Sequence, residues 1–88
     1  MLEKIRQRVR FSSNVFDNEL SDLISECKAD LTLKGVAPLK IADTDPLILS
    51  AVSTYVRGYY EEDNAKAERL QRSYESLATH LTLSGEYA

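Results

Sequence analysis

The stretch DPLILSAVSTYVRGYY, residues 45–60, constrains the fold more than any other part of this 88-residue chain. Pro46 loses no hydrogen bond at the first position of a helix, and Asp45 can accept one from the free amides of the first turn. A helix over 46–60 is therefore predicted. Ile48, Val52, Tyr55 and Tyr59 recur at helical spacing, and Leu47, Leu49, Ala51, Val56 and Tyr60 widen the apolar surface around most of the cylinder. Only Ser50, Thr54, Arg57 and Glu61 form a polar strip. A helix patterned this way has to be covered on several sides, so it is expected to stand in the middle of the core as scaffold.

The remaining periodicity supplies its cover. Leu2, Ile5 and Val9 share a face, which predicts a short amphipathic helix over 2–9. Ser12, Ser13 and Asn14 break that pattern, and Asn14 with Asp17 has the spacing of a capping pair, so a second helix is placed over 15–34. Its stripe is Phe16, Leu20, Leu23, Ile24, Cys27 and Leu31, and Gly35 follows as the residue able to close it in the left-handed conformation. Asp63 or Asn64 can cap a last helix running to about Leu83, with the seam Ala67, Leu70, Tyr74, Leu77 and Leu81. Between the second and third helices, residues 35–44 hold too few apolar side chains for an element and too many for a free linker. The segment is expected either to pin itself to the helices or to offer Val36, Leu39 and Ile41 to a neighbour. Residues 84–88 read as a tail. The expected fold class is all-α: a small bundle of one short N-terminal helix and three longer ones, in a single domain over 1–88.

A domain of this size buries only about 60% of its unfolded surface and gains little from its core. One cysteine excludes an internal disulfide and one histidine excludes a zinc-type cluster, so oligomerisation is the remaining source of extra stability. Hydrophobic content of 43% argues against disorder. No apolar run is long enough for a membrane span or a secretory signal, and a soluble intracellular protein without membrane partners is expected.

Charge is unevenly spread. Lys4, Arg6, Arg8 and Arg10 against Glu3 give residues 1–10 a charge of +3, which leaves −6 on the other seventy-eight of a chain whose total is −3. A phosphate-tracking surface normally needs a larger continuous positive field.

Catalytic patterns are not found. His80 has no orienting or coordinating partner that the sequence identifies, and it reads as a partly exposed helix residue. Cys27 falls within an apolar stripe, where a small buried thiol is expected. The acidic residues of the second helix, among them Glu26 and Asp30, read as a solvated face. Glycine occurs only at 35, 58 and 85, so no phosphate-cradling loop can be written. The chain is read as no enzyme and as needing no cofactor or metal. Tyr59 and Tyr60 are about 100° apart on one helix and cannot both face the same core, so one of them, taken as Tyr60, is free for a subunit contact.

The stretches NVFDNELSDLISECKADLTLKGV, DPLILSAVSTYVRGYY and AERLQRSYESLATHLTLSGEY, in this order and spacing, resemble the small phage head-tail connector proteins. That family, also known as phage DNA-packaging proteins, belongs to tailed phages and prophages of Gram-positive bacteria. The resemblance runs over residues 2–87 and carries no catalytic motif. It implies a structural subunit of a homo-oligomeric ring, about twelve copies by analogy with the portal, that closes by head-to-tail contacts. It also implies the portal and the next tail-completion protein as partners, assembly in the host cytoplasm and a final place at the head-tail junction of the virion. Contact with DNA in the channel would be passive and not sequence-specific.

On that basis the basic Arg6, Arg8 and Arg10 are expected to meet acidic surface, the second helix and Glu61 and Glu62, on a neighbouring copy. The loop residues Val36, Leu39 and Ile41 and the tail residues Glu86 and Tyr87 are assigned to portal or tail. The competing reading is a small helical DNA-binding regulator, for which Lys66, Arg69 and Arg72 on the last helix are the best support and the ten-residue loop before the third helix the chief objection.

Overall fold

The computed structural model describes residues 1–9 and 17–88. Four α-helices follow one another, α1 (Leu2–Arg8), α2 (Asp17–Lys34), α3 (Pro46–Tyr60) and α4 (Asn64–Leu83), with one 3-10 turn at Pro38–Lys40 and no strand among the described residues. The all-α expectation of a short helix and three longer ones is met. Phe16 and Asn14, used above for the start of the second helix, lie outside the described residues.

α3 begins as its sequence dictates. The Asp45 carboxylate accepts from the amides of Leu47 at 2.9 Å and Ile48 at 3.2 Å, with Pro46 in the first turn. The helix packs against α1, α2 and α4 and buries Ile48, Leu49, Ala51, Val52 and Val56. Its sides are less evenly covered than the pattern implied, because Leu47 and Tyr59 remain exposed. Conversely Ser53 is buried; its hydroxyl donates to the Leu49 carbonyl at 2.6 Å, which satisfies it inside the helix.

α2 buries Leu20, Leu23, Ile24, Cys27 and Leu31, as its stripe predicts. Its end is set by Gly35 at φ +114°, with the Val36 amide donating to Leu31 at 2.9 Å and the Gly35 amide to Thr32 at 3.1 Å. This is the Schellman arrangement, in which the residue after the glycine folds back onto the last turn. Val36 is accordingly only 1% exposed. It is core, and its assignment as an interface residue is corrected.

The segment after it holds too few apolar residues to predict an element, yet Pro38–Lys40 closes a 3-10 turn in which the Lys40 amide donates to Ala37 and the Ile41 amide to Pro38. A turn of this size needs local hydrogen bonds and no apolar stripe.

α3 and α4 form an antiparallel αα-hairpin. Tyr55 meets Tyr74 edge-to-face with ring centroids 5.1 Å apart, while Gly58, one turn further along α3, faces Leu70, one turn back along α4. Asp63 caps α4 by accepting from the Lys66 amide at 3.0 Å. The buried residues of α4 are Tyr74, Leu81 and Ala78, the last outside the seam read from sequence.

α1 is held by its fully buried Ile5, with Leu2 and Val9 packed against the core. The last residues are no free tail. The Ala37 amide donates to the Tyr87 carbonyl at 2.6 Å, the Tyr87 hydroxyl donates to Asp45 Oδ2 at 2.8 Å, and the ring packs against the core.

Candidate assembly surface

The candidate residues fall into three groups. Arg6 is occupied within the chain, its Nε and Nη2 reaching the two oxygens of Asp17 at 3.1 and 2.9 Å, a two-point fork that fixes α1 to the start of α2. Arg8 is exposed and Arg10 lies outside the described residues. Val36 is core, Ile41 is half-buried against it, and Leu39 is 96% exposed. Glu62 and Glu86 are exposed, whereas Glu61 is half-buried and accepts from the Asp63 amide at 3.1 Å.

The two adjacent tyrosines are arranged opposite to expectation. Tyr59 is 60% exposed, while Tyr60 is turned inward. Burial first, then the neighbouring Glu19, raises the Tyr60 hydroxyl above its ordinary pKa. The rings meet edge-on at 5.2 Å, so Tyr60 props the side chain that reaches solvent. Leu33 and Leu83, both more than three-quarters exposed, were not singled out in the sequence because each falls off its helix's apolar stripe. An apolar residue in an off-stripe position was the available signal.

Between α2 and α4 lies a polar bridge. The Tyr74 hydroxyl and Lys34 Nζ both donate to Asp30 Oδ2, at 2.6 and 2.8 Å, and Lys34 also reaches Glu75 Oε2 at 3.4 Å. Burial works to raise the Asp30 pKa, but the hydrogen bonds from Lys34 and Tyr74 outweigh it and hold the carboxyl below its ordinary value. Cys27, beneath this bridge, is fully buried, and burial pushes its thiol up to about 12. Such a thiol stays protonated at neutral pH and is no nucleophile. His80 is exposed. Among the described residues no group of three or more His, Cys, Asp or Glu could hold a metal ion, and no helix is long and apolar enough to cross a membrane.

The outer face of the α3–α4 hairpin has two unlike sides. On one, a groove of about 460 Å³ between α2, α3 and α4 is lined by Tyr55, Gly58 and Tyr59, with Glu26, Glu68 and Glu75 among its walls. On the other, Arg69, Arg72, Ser73, Ser76 and His80 of α4 form a shallow basic strip, which Arg57 and Lys66 extend.

The family model of the phage connector proteins matches residues 1–88, the whole chain. The chain belongs to the phage connector protein family. No curated protein and no solved structure matches it. Membership in the connector family makes this a structural protein of phage assembly, one that associates with other components of the virion. Its exposed leucines, its exposed Tyr59 and the two charged faces of its helical hairpin are the candidate contact features of this surface.

Proposed function

We propose that this protein is a head-tail connector subunit, an adaptor that forms a ring under the portal and joins the DNA-filled head to the tail. The connector family match over residues 1–88 is the observation that carries the reading. Ring formation of about twelve copies follows the symmetry expected of a small subunit docking on a multimeric portal, where many weak identical contacts act together. Self-association also suits a domain of 88 residues whose single cysteine leaves it without a disulfide. The partners are then further copies of the chain, the portal and the next tail-completion protein, and the protein passes from the host cytoplasm into the virion.

Leu39, Glu86 and Tyr87 are the residues offered to portal or tail. The loop and the C-terminal segment, read separately from the sequence, are joined by the Ala37 to Tyr87 bond and make one surface. The basic strip of α4 supports a second reading, a DNA-binding regulator. Against it stand the antiparallel α3–α4 hairpin, where a helix-turn-helix reader has a steep crossing, and the −6 charge of residues 11–88.

Purified protein examined by light scattering and negative-stain imaging, alone and with the portal of the same phage, tests the reading. Ring-shaped particles bound at one end of the portal are expected. A chain that stays a monomer at all concentrations and ignores the portal would overturn it.

A further inference from the structure

We propose that neighbouring copies join head to tail through two faces of the bundle, the outward Arg69 and Arg72 strip of α4 in one copy seating in the Glu26, Glu68 and Tyr59 groove of the next. The inference rests on the ring reading and adds which faces meet.

The arrangement follows from helix geometry. With Tyr74 pointing into the core, successive steps of about 100° carry Glu68 and Glu75 to one side of α4, Lys66, Arg69 and Ser73 to the other, and Arg72 to the outward face between them, one turn on from Glu68. Arg57 of α3 joins the basic side, with Glu61 as a carboxylate at its edge, and Glu26 of α2 joins the acidic side, so each is built from more than one helix.

These charges are left over by the fold. Arg6, Lys28 and Lys34 find carboxylates within the chain. Arg69, Arg72, Glu26 and Glu68 are exposed, and among the described residues none of them enters a salt bridge. Glu75 is partly neutralised by Lys34, so Glu26 and Glu68 carry the negative field of the groove.

The groove also has the chemistry for a guanidinium in particular. Tyr55 and Tyr59 supply aromatic faces, and carboxylates stand among its walls. A planar cation that stacks on a ring and forks onto a carboxylate is arginine rather than lysine. Pairing either side with itself would set like charges together, which disfavours a two-fold dimer and leaves the head-to-tail contact between unlike sides.

The test uses charge reversal at exposed positions in the full chain, with helicity checked by circular dichroism. R69E/R72E and E26R/E68R are each expected to self-associate at least tenfold more weakly than the parent, and the parent's association to weaken as salt rises. An equal mixture of the two variants is expected to regain assembly, since each supplies the side the other now needs; this recovery also shows that both are folded. The neutral pair R69Q/R72Q is expected to weaken assembly as well.

If the parent assembles and both reversed variants assemble equally well, the ring stands and this pairing falls. A mixture that remains dispersed overturns the pairing too. So does binding of random duplex DNA by the parent, lost in R69E/R72E at the same salt, because the strip would then serve nucleic acid. A parent that never associates, with or without portal, overturns both this inference and the ring.

Discussion

The Tyr74 hydroxyl donates to Asp30 Oδ2 at 2.6 Å, joining positions 44 apart in the chain and fixing α4 against α2. Tyr74 is otherwise buried among apolar neighbours, so its hydroxyl has this carboxylate as its polar anchor. Tyr74→Phe keeps the ring packing and removes the bond. A loss of about 1–2 kcal/mol is expected, read from the urea midpoint at unchanged slope. Equal midpoints would mean that the ring alone carries the contact.

Three aspartates, Asp30, Asp43 and Asp45, are held below their ordinary pKa and make the fold sensitive to acid, Asp43 first through its hydrogen bond from the N-terminal ammonium. For Asp30 and for Asp45 burial works to raise the pKa. It is outweighed at Asp30 by the bonds from Lys34 and Tyr74, and at Asp45 by those from Tyr87 and the Ile48 and Leu47 amides. Each folded pKa thus lies below its unfolded value, so the unfolded chain binds more protons in between. The contribution is complete above the ordinary aspartate value of about 3.9 and is lost as pH falls through the folded values. Urea midpoints should drop below about pH 4, and Asp30→Asn should show a smaller drop than the parent.

Cys27 should behave as a core residue in solution. With its thiol buried and its pKa near 12, a disulfide-exchange reagent at pH 8 should leave native protein untouched and titrate one thiol after unfolding. Fast labelling of the native chain would contradict the packing.

Gly35 is constrained by its backbone and not by its neighbours. A Cβ there would stand 3.7 Å from Thr82 Cγ2, an ordinary contact, but φ of +114° is one that side-chain-bearing residues rarely adopt. Gly35→Ala is expected to cost about 1–2 kcal/mol, again by urea titration.

Local signals were easy to read and long-range ones were not. The Asp45 and Pro46 start, the α2 stripe and the Gly35 stop are written in neighbouring residues, and each stands where the pattern places it. Tyr87 could not be read this way, because its partners are Ala37 and Asp45, 50 and 42 positions back along the chain. Val36 was offered to a neighbour because its apolar character was visible while the fold-back that buries it depends on the glycine's geometry. Arg6 has its partner in Asp17, eleven positions on and outside the helix to which the sequence assigns it. For Tyr59 and Tyr60, periodicity showed that they must part company, but which one faces inward was decided by the placing of α2. Of the candidate surface, Leu39 and Glu86 were visible as exposed residues; the opposed charges of the α3–α4 hairpin became visible only once α2 set Glu26 beside Glu68.

The short 61–63 link between α3 and α4 has one more consequence. Together with the packing of Tyr55 on Tyr74 it holds those two helices side by side, so the angle between the hairpin's positive and negative faces is set within each molecule. Curvature in a row of such molecules would then be inherited from the monomer, and the number needed to come full circle would be a property of one hairpin's shape.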